Sequence, residues 1–534
     1  MRIRSLLLIP AAVAAAGLAA APGAGAKGFT YGITAGDVSS SSALLWTRTD
    51  KTGSVTLHVS ADKHFGNADD IVKSLTSKST NDNTVTVKVG HLQAGHVYLY
   101  RFTKGKDKSL TGRFVTPPKA NTSRTIKFAY SGDADGTPAA GQTVPFWNKF
   151  QVYSRMAKEK NDFNVNLGDT IYSDSPVGAT FEGGAYHPHT VPALTLAEKW
   201  AKYRQNLALS PLQAVRRATG MYNLWDDHEF IDDFARSDPN GAALYQAGMQ
   251  AFGNYMPAKY SSQTGLYRSF RWGKNLEVFM PDLISFRSAK AGASGVCNNP
   301  DTGNPDVAPN LPQSKRDQFA VLYPPLSKPV SQACLDKIAD PTRTMLGANQ
   351  LALFENAVKS SKARWKIVLN EVPITQTYLF PYDQWEGYAA ERTKLLTYLQ
   401  ANAKNVVFLT TDAHWTYFAD ARLKTLEPGG PVDSGVKELV TGPAAVGTWG
   451  QTLNALTGNP GTANAVGNVF YRAAPPQGAG LGCVSLFSFS YAEVKVTPKA
   501  VTLTPKDING SPVKETTSNG DTGPKCGPYT ITAK

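Results

Sequence analysis

Cysteine is scarce in this 534-residue chain, with only four residues: Cys297, Cys334, Cys483 and Cys526. None lies near the acidic motifs described below, which argues against a cysteine-ligated metal centre. Histidine is nearly as scarce, at eight residues. His58, His64, His91 and His96 fall in an N-terminal β-rich segment, and His187 and His189 in a proline-containing loop. Only His228 and His414 accompany acidic motifs, so a zinc centre built from three histidines is excluded. Beyond the first residues no apolar run is long enough to span a bilayer, so no membrane span is expected in the mature chain. No dense lysine/arginine run occurs, which removes the signature of dedicated nucleic-acid binding. No Gly-x-Ser-x-Gly nucleophile elbow is present, and no internal repeat.

What is present is globular in composition, 42% hydrophobic and 18% charged. Arg2 and Arg4 precede an apolar stretch that runs to Ala21 and ends in Ala24-Gly25-Ala26. Residues 1–26 therefore read as a secretory signal peptide, with an uncleaved anchor as the alternative. No twin-arginine pair occurs, so the general secretion route is expected, to the exterior or the cell envelope. Four cysteines in an exported chain suggest two disulfides, with three connectivities open. Sequential pairing, Cys297–Cys334 and Cys483–Cys526, is expected because each pair would staple a Gly/Pro-rich segment. The net charge of +13 suits attraction to anions such as phosphate esters or wall polymers. A monomer is expected.

Residues 27–117 read as a β-sandwich module of fibronectin or immunoglobulin type. Alternating runs such as Ala43–Arg48, Ser54–Val59, Asn83–Val89 and Val97–Phe102 are separated by turn residues. Thr116-Pro117-Pro118 marks a linker. From 118 to 534 the pattern changes to α/β. Apolar runs end in polar residues at Ile126–Tyr130, Phe163–Leu167, Trp365–Asn370 and Asn405–Thr410. Helices are expected at Val144–Lys160, Leu196–Ala208, Ala348–Ser360 and Tyr388–Ala401. A Gly/Pro/Asn-rich insertion around 292–341 carries the first two cysteines and is placed to cover a site.

Five motifs follow these runs, where α/β proteins hold ligands just past the strand ends. The first is Ser131-Gly132-Asp133-Ala134-Asp135, in which glycine lets the backbone turn toward a ligand. The second, Gly168-Asp169-Thr170-Ile171-Tyr172, offers a carboxylate and a phenol. The third, Trp225-Asp226-Asp227-His228-Glu229, sets four ionisable residues in a row between aromatic neighbours. Such a run is costly to bury without partners or a metal. Glu371-Val372-Pro373 and Asp412-Ala413-His414 complete the set. Taken singly each reads equally well as a turn or a solvated loop. An oxygen-rich donor set suits Ca²⁺, Mg²⁺ or Mn²⁺, with Fe³⁺ possible where Tyr172 binds.

Together, in this order, the motifs resemble the PhoD-type branch of the calcineurin-like metallophosphoesterase superfamily. That branch comprises alkaline phosphatases and phosphodiesterases. The resemblance extends to Gly32–Asp37 and Leu45–Arg48 in the N-terminal segment. It implies an N-terminal sandwich followed by a metallophosphoesterase α/β sandwich. It also implies two or more metal ions and phosphate-ester hydrolysis by metal-activated hydroxide. The implied metal ligands are Asp133, Asp135, Asp169, Tyr172, Asp227, Glu371, Asp412 and His414, with Asp169 bridging. His228 would serve the leaving oxygen. Three departures stand out. Asp133 occupies the place of the branch's iron-binding cysteine, and Asp135 that of the wider superfamily's histidine. Glu371 stands where that superfamily has His-x-Pro. Each replaces a softer ligand with a carboxylate, which favours Ca²⁺ over iron. Monoester versus diester preference stays open. The rival readings are a carboxylate-pair glycosidase, which would leave most of the motifs unused, and a non-catalytic binding protein that keeps the fold.

Overall fold

The protein was analysed as a computed structural model. It describes residues 26–534, except positions 176, 178, 179, 183, 184 and 188–190; for 180–182 and 185–187 only the backbone is described. Residues 1–25 of the expected signal peptide, and His189, lie outside the described residues.

Two mixed sheets carry the fold. One has nine strands, in the order Tyr529–Thr532, Ala500–Asp507, Ser490–Val496, Ile126–Ser131, Phe163–Leu167, Gly220–Leu224, Ile33–Gly36, Ala43–Arg48 and Thr84–Val89. The other has seven, in the order Arg268–Trp272, Leu276–Met280, Trp365–Asn370, Val406–Thr410, Val432–Val440, Thr416–Lys424 and Cys483–Ser485. In each the middle is parallel: Ile126–Ser131, Phe163–Leu167 and Gly220–Leu224 in the first, and Leu276–Met280, Trp365–Asn370, Val406–Thr410 and Val432–Val440 in the second. Phe163–Leu167, Gly220–Leu224, Trp365–Asn370 and Val406–Thr410 are mostly apolar and buried at every position, as strands covered on both faces are.

One core joins both sheets. Phe128, Val165 and Leu224 share it with Ile367, Leu409 and Leu439. Helices Leu196–Leu207, Ser210–Ala218 and Gly241–Tyr255 pack on the first sheet through Tyr203, Val215 and Phe252. Helices Ala348–Ser360 and Ala389–Asn402 cover the second through Phe354, Leu395 and Leu399, against Val368 and Phe408. Leu196–Leu207 starts as its sequence suggests: Thr195 accepts from the Glu198 amide while the Glu198 carboxylate accepts from Thr195 N.

The expected helix Val144–Lys160 is shorter, at Gln151–Met156. Its first half is held in a turn, where Asn148 Oδ1 accepts from Phe150 N at 2.7 Å and Phe150 takes φ +60°. The N-terminal strands divide between two sheets. Ile33–Gly36, Ala43–Arg48 and Thr84–Val89 extend the nine-stranded sheet, with Gly36 paired to Met221. Ile71–Ser77, Gly53–Ser60, Val97–Lys104, Asp107–Lys108 and Gly112–Val115 form a separate five-stranded sheet. A shared core of Ile33, Leu45, Val89, Leu57, Tyr100 and Phe114 lies between them. Both disulfides join the expected partners, Cys297–Cys334 and Cys483–Cys526. Among the described residues no helix is long and apolar enough to cross a membrane.

Candidate metal centre

The acidic motifs meet where the parallel strands of both sheets end. Asp133 follows Ile126–Ser131, Asp169 follows Phe163–Leu167, and Asp226 and Asp227 follow Gly220–Leu224. From the facing sheet, Glu371 follows Trp365–Asn370, and Asp412 and His414 follow Val406–Thr410. The chain turns sharply at each exit: Asp133, Asp169, Asp412 and His414 all have φ between +50° and +63°. A left-handed conformation at four non-glycine residues of one site is uncommon strain, and such strain gathers at functional positions. Gly168, at φ +99°, lets two exits approach; a Cβ there would stand 2.6 Å from the Asp226 Cβ.

Three clusters of potential ligand atoms result, each with its atoms within 4.8 Å of one another. Asp133, Asp169 and His414 form the first; Asp169, Asp227 and His228 the second; Asp227, Asp233 and Asp383 the third. Asp169 belongs to two clusters, and so does Asp227. Asp133 Oδ2, Asp169 Oδ2 and Asp227 Oδ1 are buried with no hydrogen-bond partner among the described residues. Both oxygens of Asp226 are in the same state. Buried polar atoms are nearly always partnered, so oxygens gathered without donors are what a cation would satisfy.

The electrostatics agree. Burial first, and then neighbouring acids, push the carboxyls of Asp169, Asp226, Glu371 and Asp412 well above the usual carboxylate range. Asp133 is pushed up to about 7, again mainly by burial. Burial lowers His414 to about 3, which keeps its imidazole neutral and able to bind a metal. Tyr172 is buried; its hydroxyl lies 3.2 Å from His414 Nε2, and its ring centre is 4.1 Å from that of His228. His228 is the contrast. Burial opposes its charged form, but Asp174, Asp169 and Asp227 outweigh that and raise it well above the ordinary value.

Not every expected residue joins the clusters. Asp135 engages both oxygens locally, from Thr137 N at 2.9 Å and from the Ser175 hydroxyl. Glu371 is buried beside the charges of Asp226 and Asp282, outside the three clusters. Asp412 lines the cavity, and its amide donates to Asp133 Oδ1 at 3.2 Å. Three residues were not singled out from sequence. Asp174 Oδ1 accepts from His228 Nδ1 at 2.7 Å, and its Oδ2 accepts from Asp232 N at 2.8 Å. Its place two residues after Tyr172 was the available signal. Asp233 follows the Trp225–Glu229 motif by four residues, in an acidic stretch that reads as solvated. Asp383 sits in a loop after Tyr378 with no strand-end signal at all. Buried Lys199 ties the two loops together, donating to Ser173 Oγ at 2.7 Å and to the Phe230 carbonyl at 2.8 Å. The clusters open into a cavity of about 560 Å³.

The profile of the PhoD-like phosphatase family matches residues 137–504, and that of the PhoD-like phosphatase N-terminal domain matches 13–118. The chain belongs to the PhoD-like phosphatase family. It is a phosphoric ester hydrolase, and its chemistry is metal-dependent. Alkaline phosphatase D of Bacillus subtilis (strain 168) is 27% identical over 444 residues, 76% of this chain and 68% of that protein. The fold is similar to a solved structure of PhoD, with TM-score 0.68 and 21% identity over 96% of this chain and 90% of that one. It is also similar to purple acid phosphatase PPD1 from yellow lupin (Lupinus luteus) seeds, with TM-score 0.53 and 11% identity over 91% and 73% of the two chains.

Proposed function

We propose that phosphate esters are hydrolysed at the two clusters that share Asp169, which with its neighbours would hold two cations. The shared carboxylate, with partnerless oxygens on Asp133, Asp169 and Asp227, is the observation that carries this reading. Asp133, Tyr172 and His414 would hold one ion; Asp227, with Asp412 and Glu371 close behind, would serve the other. Asp135 would support the first loop through Thr137 and Ser175 rather than bind directly. When bound, the ions supply Lewis acidity at the phosphoryl oxygens and lower the pKa of a water.

The chain's own groups do the rest. His228 donates a proton, or a hydrogen bond, to the leaving oxygen. Asp174 fixes the orientation of its ring through Nδ1 and favours the protonated form. Lys199 holds the Ser173 and Phe230 loops, and with them the spacing of Tyr172 and His228. The all-oxygen and imidazole donor set favours Ca²⁺, then Mg²⁺ or Mn²⁺, with Fe³⁺ drawn by Tyr172. The same reading includes an N-terminal sandwich over 27–117, a catalytic region over 118–534 and a monomeric enzyme. Two disulfides suit an exported protein in an oxidising compartment.

The test combines metal analysis of protein purified without added metal with aryl phosphomonoester and phosphodiester assays, with and without chelator. Chelator-sensitive release and at least two ions per chain are expected. Release that no chelator affects would overturn the assignment.

A further inference from the structure

The catalytic cavity has two unlike halves. Asp227, Asp232, Asp233 and Asp383 crowd the His228 side. Lys290 is the one lysine or arginine on the wall among the described residues, and its ammonium is already paired with Asp233. The His414 side is instead walled by Trp147, Leu379, Phe380 and Trp449. Tyr172 touches both histidines, with its ring against His228 and its hydroxyl 3.2 Å from His414 Nε2. Trp449 is tied to that second side directly, since its amide donates to the His414 carbonyl at 3.0 Å.

This wall is half-buried and held. Phe380 meets Trp449 edge-on, with ring centres 5.6 Å apart and planes at 85°. Phe380 keeps a left-handed backbone, at φ +49°, which is an outlier for a bulky residue. Its amide is anchored on the Val307 carbonyl of the disulfide-tied insertion at 2.8 Å. Trp449 Nε1 donates to the Tyr471 hydroxyl at 3.1 Å. Trp147 packs over Gly447, where an added Cβ would come within 3.2 Å of its ring. Three aromatic side chains are thus held around one space, with no free lysine or arginine on its wall among the described residues.

We propose that Trp147, Phe380 and Trp449 form a subsite for a flat ring carried on the phosphate through its non-leaving oxygen. This rests on the hydrolytic reading above. There the leaving oxygen faces His228 with the nucleophile in line behind phosphorus, so the other substituent of a diester is equatorial, where the aromatic wall beside His414 can receive it. Aromatic walls favour flat partners through offset and edge contacts that a saturated group of equal bulk makes less well. A charged substituent would meet no counter-ion there.

The test uses p-nitrophenyl diesters that share one leaving group and differ in the second substituent: methyl, cyclohexyl, phenyl and 5′-thymidyl. Each kcat/KM is normalised to that ester's own rate in hydroxide, which removes intrinsic reactivity. Phenyl and thymidyl are expected to exceed methyl and cyclohexyl by about five- to tenfold. Phe380→Leu and Trp449→Leu, checked for folding by thermal melts, should each bring the phenyl-to-cyclohexyl ratio toward one. If one variant fails to fold, the other and the wild-type series still decide. Equal rates for all four diesters would overturn the subsite while leaving hydrolysis standing. Cyclohexyl equal to phenyl, or ratios unchanged in folded variants, would overturn the flat-ring assignment. Hydrolysis of none of them with added Ca²⁺ or Mn²⁺ would overturn the subsite if p-nitrophenyl phosphate is still cleaved, and would fault the hydrolytic reading if it is not.

Discussion

Two kinds of buried carboxylate occur in this protein. Asp306 is buried but answered: Arg316 reaches both its oxygens, at 2.7 and 2.8 Å. Half-buried Asp82, at the junction of the N-terminal strands and the helices, is answered in the same way by Arg48, Arg204 and the Tyr255 hydroxyl. Asp133, Asp169, Asp226 and Asp227 are as deep as Asp306, yet each keeps an oxygen without a donor among the described residues, and Asp169 shares one cluster with Asp133 and another with Asp227. Burial alone does not mark a site. A buried acid that the fold has partnered is architecture, and a group of acids left without donors is a demand for cations.

The largest expected effect tests that demand. Asp169→Asn should lower kcat/KM about a thousandfold, the scale of removing a central electrostatic group. Metal content should fall with it while the melting transition survives. Retention of both activity and metal would erase the distinction. On the architectural side, Arg316→Met strands Asp306 and should cost about 3–5 kcal/mol of stability. Chemical denaturation would show this, with metal content per folded chain unchanged. Next comes a ligand effect on stability. Adding the bound cation at about a hundred times its Kd should stabilise the wild type by about 2.7 kcal/mol, and Asp169→Asn much less. Asp174→Asn lies between the two classes, because it touches His228 and no proposed ion. It should slow turnover about ten- to a hundredfold, with metal content kept.

The smallest effect separates the classes by pH. Hydrogen bonds and charge from Arg48, Tyr255 and Arg204 overcome the burial of Asp82 and hold its carboxyl below the usual 3.8. Its contribution is therefore present above that value and is lost as pH falls through the depressed pKa. Asp82→Asn should melt lower than wild type near pH 7, and the gap should close toward pH 2. A gap that widened in acid would mean that Asp82 is not held by these cations.

Much of this was legible in the sequence, for physical reasons. Fully buried parallel strands are mostly apolar, so Val406–Thr410, and Phe163–Leu167 despite Asn164 and Asn166, stand out in the sequence, and the residues just past them are the ones to inspect. Spacing could not say which way a carboxylate turns. Asp133 and Asp135 are two residues apart and read alike, yet Asp135 spends its oxygens on Thr137 and Ser175. Asp383 reaches the third cluster from an irregular loop, through tertiary packing that leaves no periodic trace. The shortening of the Val144–Lys160 helix turned on one Asn148 side chain competing with the helical ladder. The N-terminal segment looked like a free-standing module because strand alternation reports burial on one face, not which sheet a strand joins.

That last point has a practical side. Ile33–Gly36 borders Gly220–Leu224, the strand that delivers Asp226 and Asp227. Trp46 Nε1 donates to the Asn254 carbonyl at 2.7 Å, and Asp37 pairs with Arg268 across the same seam. A chain trimmed to begin after Pro118 would therefore not be a smaller enzyme. It would present a raw, apolar strand edge directly behind its own catalytic loop, and recombinant fragments cut at that tempting linker should collect in inclusion bodies.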